Sequence, residues 1–498
     1  METDDRQSSL RNEEYPSIPK RPQNGTVPSN ILEFSYSFAY DCRKYFNLCV
    51  ADQNTIIFAS GNFIHFFDVQ KKKISLKGSC TGGGIGHICR NPVFGHIAIG
   101  ENGFKPLITI YSWPAMEQLT VLTEGTTRRY FHLAYSPDGL LLVSQGGHPD
   151  FFITIWNWQQ SSIALRCKSY VQDVFNVTFS KTIPGSLTSA GSGHIKFWKM
   201  AETFTGLKLK GETGRFGKTE ISDIIAIYPM PDETVISGCE WGNILLWEEG
   251  LIKLEICRKN KQSLHSAFLS QFEYINGELA SVGTDGWIKF WFYESIDHAN
   301  PTDDANYFEL QSIYELQIKE SDSRRNAMIM SIEKRDADDP ESTFWYAQDG
   351  NGGIWSIDLD TVTKSEPSKK ILTCHAGPIL DASHAVWGTF IATIDDTGRV
   401  HFYDYSKERL IIAHKFHDSG RRIIWLPCEV EPSGSCLVCG FASGVIRLIT
   451  VSILSALLRD NINGDYVRLL QVLKPHTKPI SAMSTNLSSR SVLVYFES

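Results

Sequence analysis

Along this chain, apolar residues alternate with polar ones in short runs, and Gly, Asp, Asn and Pro separate the runs. A period of two puts successive side chains on opposite faces, which predicts strands. The clearest unit has six residues, opening on a turn glycine and ending in an aromatic. It occurs as Gly193-His194-Ile195-Lys196-Phe197-Trp198, Gly242-Asn243-Ile244-Leu245-Leu246-Trp247 and Gly286-Trp287-Ile288-Lys289-Phe290-Trp291. Weaker copies end at Phe67, Tyr111, Trp156, Ile357, Tyr403 and Ile449, and the nine end positions lie 44, 45, 42, 49, 44, 66, 46 and 46 residues apart. That regularity is the mark of an internal repeat. Each clear copy follows a second apolar run and a tight turn, as in Leu279-Ala280-Ser281-Val282-Gly283-Thr284-Asp285-Gly286. These are hairpins, because Asp-Gly and similar pairs accept the positive φ of a tight turn. Phe131-His132-Leu133-Ala134-Tyr135 before Ser136-Pro137-Asp138-Gly139 shows a further strand and turn upstream.

About four strands in about 44 residues is the size of one propeller blade. A Trp-Asp signature survives only in altered forms, such as Phe67-Asp68, Trp156-Asn157, Trp198-Lys199, Ile357-Asp358 and Tyr403-Asp404. His375 and His476 sit where such repeats place the histidine of a Gly-His pair. The fold class is therefore all-β, a WD40-type β-propeller with degenerate repeats. Nine hairpins and the start of a tenth unit at His476 exceed the usual four to eight blades. The expected division is a disordered segment over 1–31, a first, seven-bladed ring over 32–370, and a partial second propeller over 371–498. Ile31-Leu32-Glu33-Phe34-Ser35-Tyr36 is expected to supply a strand that helps close the first ring. The long interval holds Asp297-His298-Ala299-Asn300-Pro301-Thr302-Asp303-Asp304, which predicts an acidic surface-loop insertion near 297–320. An unfinished second ring leaves strand edges open, so the chain is expected to be a short form of something longer, or to have that edge covered by a partner.

Composition narrows the function classes. The chain has 498 residues, 42% of them hydrophobic, with ample material for buried cores. A net charge of -8 with both signs interspersed argues against nucleic acid as a partner. No apolar run reaches the length of a membrane span, and the polar start lacks a signal-peptide pattern. Eleven cysteines, scattered except for Cys436 and Cys439, suit a reduced intracellular chain, in which the sequons at Asn24, Asn176 and Asn486 carry no sugar.

Candidate chemistry fails on spacing. Gly211-Glu212-Thr213-Gly214-Arg215-Phe216-Gly217-Lys218-Thr219 invites comparison with a phosphate-binding loop, but Gly211 and Gly217 enclose five residues rather than four. The β-branched run Ile221-Ser222-Asp223-Ile224-Ile225-Ala226-Ile227 follows where a helix is required. Thr81-Gly82-Gly83-Gly84-Ile85-Gly86 lacks the dinucleotide-loop setting and reads as a flexible inter-blade loop. Cys436 and Cys439 have metal-like spacing without a second ligand pair, so they read as core residues. Asp395-Asp396 lies at a hairpin turn, where Asp is favoured by turn geometry. No catalytic, cofactor-binding or metal residue is assigned, no cofactor is expected, and the protein-binding residues stay open.

The order of several motifs resembles the N-terminal region of the cilia- and flagella-associated protein 44 family. They include Tyr40-Asp41-Cys42-Arg43-Lys44, Gly82 to Gly86, Gly191 to Trp198, Phe204 to Gly211, Gly214 to Thr219, Trp241 to Glu248, Gly250 to Lys253, and Lys474-Pro475-His476-Thr477. The resemblance implies a non-enzymatic scaffold of the ciliary or flagellar axoneme, in the cytoplasm and cytoskeleton, that regulates beating. The implied partners are its sister, cilia- and flagella-associated protein 43, and an inner-arm dynein heavy chain, with the tubulin doublet reached indirectly. Nucleic acid and membrane are not among them. In that family two propellers precede a long coiled coil, and this chain stops before one. The competing expectation is a soluble WD-repeat adaptor in ciliary transport or ubiquitination.

Overall fold

The computed structural model describes residues 36–204, 206–301, 306–320, 326–336, 339, 342–360, 368–459, 461–486 and 491–496. The segment 1–31, most of the expected strand at 31–36, and the acidic centre of the insertion at 302–305 lie outside them, as does Asn24. The described secondary structure is nearly all strand, in ten antiparallel meanders that follow one another along the chain. This is consistent with a WD40-like β-propeller.

Each of the nine repeat ends recognised in the sequence falls on the third strand of a sheet, from Phe63–Asp68 through Ile108–Tyr111, His194–Thr203 and Trp287–Phe292 to Ile446–Val451. The second and third strands of most sheets are largely buried, which is why they carry the apolar runs that make the repeat legible. The fourth strands are largely exposed, as in Gly206–Thr213 and Val467–Leu473. Register slips by one residue near the start of most first strands, for instance between Ile85 and His87, Val174 and Asn176, and Gly420 and Arg422. Such bulges add local twist, so that a flat meander turns into a propeller-like blade.

The cores lie between neighbouring sheets. Ile57 and Ile64 of the first pack with Ile88 and Ile97 of the second. Ile244 and Leu246 of the fifth meet Leu279 and Trp291 of the sixth. Ile354 of the seventh sheet returns to pack with Ile56 and Phe58 of the first. The first strands follow the same order, and Ile329–Lys334 of the seventh sheet lies against Cys49–Asp52 of the first. Separate cores join the eighth sheet to the ninth and the ninth to the two-stranded tenth, Ile480–Asn486 with Ser491–Phe496. Trp156, Trp247 and Trp291 are essentially sealed. At ~25 cal/mol per Å² over about 150–250 Å² of ring surface, each contributes roughly 4–6 kcal/mol of burial.

Beside the core between the seventh sheet and the first, one amide of the seventh sheet binds the segment that leads into the first strand Cys49–Asp52. The Gln348 side chain donates to the carbonyls of Cys42 and Lys44, both at 2.7 Å, and accepts from Asn47 N–H at 2.9 Å and Ser331 Oγ at 2.8 Å.

The long interval is more than a surface loop. After a short helix at Tyr293–Asp297, the strand Tyr307–Glu309 joins the fifth sheet, parallel to Leu251–Cys257, and Tyr314–Gln317 then completes the sixth. Its backbone bonds bracket the neighbouring strand, Glu255 N–H to Asn306 O at 3.0 Å and Leu310 N–H to Cys257 O at 2.9 Å.

Candidate functional site

The polar groups nearest to a catalytic arrangement are buried inside blades. In the sixth sheet His265 Nδ1 lies 3.1 Å from Asp285 Oδ1, and its Nε2 lies 2.8 Å from Ser281 Oγ. An Asp–His–Ser row of this kind is the geometry of acyl transfer. Here, however, Trp291 Nε1–H donates to the same Ser281 oxygen at 2.8 Å, and both Ser281 and the His265 side chain are fully buried. Burial drives the imidazole pKa down, against the pull of Asp285. Burial would raise the Asp285 carboxyl, but the hydrogen bonds and charge of His265 and the backbone donors outweigh it and leave it low. A neutral ring therefore donates to a carboxylate and accepts from Ser281, which accepts from Trp291. The chain of donors is saturated and no substrate atom can reach it, so it ties the loop before a sheet to that sheet's hairpin.

The eighth sheet repeats the device. His375 Nδ1 meets Asp395 Oδ2 at 2.8 Å and Nε2 meets Thr393 Oγ1 at 2.7 Å, with His401 stacked on the ring. Asp395 also accepts from the backbone of Thr397 and Arg399, so the acidic pair closes a hairpin turn as expected. The sequence reading missed His265, although it stands 20 residues before its Asp, as His375 does. It missed the indole partners as well. Trp156, Trp198 and Trp247 donate at 2.8 Å to Ser144, Ser189 and Ser237. The signal was a serine followed within two residues by glycine, in Ser144-Gln145-Gly146, Ser189-Ala190-Gly191 and Ser237-Gly238. That glycine is obligatory: a Cβ at Gly191 would lie 2.0 Å from the Asp173 carbonyl oxygen.

The sequence decoys resolve structurally. Gly211 lies flat on Trp198, where a Cβ would sit 2.5 Å from the ring, and Gly214 to Thr219 form a turn that leads to no helix. The Gly82–Gly86 loop does join two sheets, but it is anchored rather than slack: Asn102 N–H donates to Gly84 O and Ile85 N–H to Gly61 O. A Cβ would come within 2.1 Å of Asn102 O at Gly83 and 2.2 Å of Tyr130 O at Gly86. Cys436 and Cys439 point to opposite faces of one strand, into different cores, and so cannot share an ion. Among the described residues no group of three His, Cys, Asp or Glu is placed to hold a metal. Asn176 is buried and donates to Ile225 O at 2.9 Å.

Polar residues also crowd the first strands of the second and third sheets. The His87 and His132 rings lie 4.3 Å apart, tilted by 45°, with Phe46 edge-on to His132 at 5.4 Å. His87 Nδ1 accepts from Leu133 N–H, and burial lowers both imidazoles, His132 to about 3. Lys44 Nζ beside them donates to the Ile85 carbonyl, and burial lowers it to about 8.

No protein-family model matches the chain. Over 478 residues, 95% of its length, it is 38% identical to cilia- and flagella-associated protein 44 of Mus musculus. The chain resembles cilia- and flagella-associated protein 44. The Trypanosoma brucei brucei protein of that name is 30% identical over 74% of the chain, and the Chlamydomonas reinhardtii one 44% over 37%. The matches span 26%, 22% and 11% of those relatives, so the chain corresponds to about a quarter or less of cilia- and flagella-associated protein 44.

Proposed function

We propose that this chain is a non-enzymatic WD-repeat scaffold of the ciliary or flagellar axoneme, in a complex that tethers inner-arm dynein motor domains to doublet microtubules. Its partners in this reading are cilia- and flagella-associated protein 43 and the dynein heavy chain. The observation that carries it is the likeness to cilia- and flagella-associated protein 44, over 95% of the chain for the animal protein, 74% for the protozoan one and 37% for the algal one. The burial of the Asp–His–Ser row in the sixth sheet supports a role in rigidity, and propellers present broad faces for docking. In this reading the first seven sheets close one ring, whose last strand, Lys369–Thr373, runs three residues past the expected boundary at 370, and the sheets from Ile379 onward begin a second. The packing of the seventh sheet on the first supports that closure. A chain cut after residue 376, beyond the seventh sheet's last strand, that melts cooperatively would agree with one closed ring, and one that only aggregates would count against it.

The functional test is to tag the chain at its own locus in ciliated cells, remove membranes with detergent and compare the axonemal pellet with the soluble fraction. Retention is expected. Complete release would sink the scaffold reading and favour the soluble adaptor.

A further inference from the structure

A cavity of about 540 Å³ opens where the loops that precede the first strands of the first three sheets come together. Arg43, Lys44 and Arg129 stand on its wall beside Gly84 and Asn102. The two loops flanking it are knitted together, Gly103 N–H to Arg128 O at 2.8 Å and Lys105 N–H to Thr127 O at 3.1 Å. They present Phe104, 72% exposed, with the Lys105 and Arg128 cations each 5.7 Å from its ring centre. Arg129 covers Phe131 at 4.0 Å.

On a chain of net charge -8, this rim is locally cationic. Among the described residues four carboxylates lie on or beside these loops, each held in place, Asp173 by Arg129 at 3.6 Å, Asp41 by Gly61 N–H at 3.3 Å, Asp150 by Thr127 N–H at 2.9 Å and Glu101 by Cys80 N–H at 2.7 Å, against the five cations Arg43, Lys44, Lys105, Arg128 and Arg129. Arg43 and Arg128 form no ion pair among the described residues. Exposed aromatic rings held under cations suit the backbone and side chains of an extended peptide, and unpaired guanidinium groups suit its carboxylates. Asp41 at the rim disfavours a doubly charged phosphate more than a single carboxylate.

We propose that this cavity docks an extended, carboxylate-rich peptide segment of a protein partner, with Arg43 and Arg128 as charge contacts and Phe104 as the apolar platform. The proposal deepens the docking role and names the chemistry of what is docked. The test is fluorescence anisotropy of a fluorescein-labelled peptide alternating glutamate with glycine, titrated with the full chain. Arg43→Glu combined with Arg128→Glu should weaken binding about tenfold or more, since removing rim charges changes association and its salt dependence. Lys208→Glu, on an exposed fourth strand away from the cavity, should leave it unchanged. Should the double variant misfold, Phe104→Ala is read the same way, because that ring is mostly exposed. The proposal fails if the parent chain does not bind, if Lys208→Glu weakens binding equally, or if an oligouridylate displaces the peptide as well as unlabelled peptide does. Axonemal retention is a separate readout. A chain that is retained but does not bind the peptide overturns this site and spares the scaffold role, and a chain that binds but washes out does the reverse.

Discussion

Replacing His132 with phenylalanine should flatten the acid side of this protein's stability profile. The folded ring is buried against His87 and Phe46, and burial holds its pKa at about 3. In the unfolded chain the same imidazole titrates near its ordinary value of about 6.5. The folded pKa is thus lowered, so protonation favours the unfolded state, and stability is lost as pH falls through 6.5 toward 3. At pH 5.0 the unfolded ring holds nearly one proton and the folded ring almost none. Integrating about 1.4 kcal/mol per pH unit over that gap gives about 2 kcal/mol lost between pH 7.5 and 5.0 from this residue alone. His65, also buried and lowered to about 4, adds a loss of the same sign. Subtracting the variant's profile from the parent's cancels that group and any constant packing offset. The assay is urea unfolding followed by tryptophan fluorescence at pH 7.5, 6.5, 5.5 and 5.0. The variant should lose about 2 kcal/mol less than the parent over that range. Equal losses would refute the assignment of a buried, neutral His132.

Ser281→Ala leaves Trp291 Nε1–H and His265 Nε2 buried without partners, and should cost about 2–4 kcal/mol in the same urea assay at pH 7.5. Phe204→Ser, by contrast, alters a fully exposed side chain and should stay within about 0.5 kcal/mol. Gly86→Ala drives a methyl group to 2.2 Å from the Tyr130 carbonyl oxygen, so a loss of about 1–3 kcal/mol is expected in thermal melts. With Ellman's reagent, Cys80 and Cys428, the exposed thiols, should react rapidly in the folded chain, and all eleven after unfolding. Burial pushes the thiols of Cys42 and Cys439 up, to about 11 and about 12, so rapid reaction there would contradict their placement.

The hairpins ending at Trp198, Trp247 and Trp291 were legible because both of their strands are buried and their turns need glycine. Fourth strands such as Gly206–Thr213 left no such trace. An outer strand exposed on both faces has no reason to alternate. Tyr307–Glu309 was missed for a different reason: its parallel partner lies about fifty residues upstream, and a three-residue strand has no period to read. Of the site chemistry, His375 was legible and His265 was not, since Leu264-His265-Ser266 lacks the flanking glycine of the repeat signature. The cavity was invisible because the residues on its wall, Arg43, Gly84, Asn102 and Arg129 among them, come from loops that only the packing of the sheets brings together.

The strand Tyr307–Glu309 alters how the fifth and sixth sheets would respond to mechanical load. Neighbouring blades elsewhere are joined through side chains and isolated loop bonds such as Gly103 N–H to Arg128 O, and such contacts peel apart one after another. Here the chain leaves the sixth sheet, hydrogen-bonds alongside Leu251–Cys257 of the fifth and returns, while Arg258 and Lys289 both reach Glu315 on the returning strand. A parallel pair pulled along its axis is loaded in shear, so its bonds must fail together rather than unzip. This seam is stitched, and under tension the fold would give way at its other seams first.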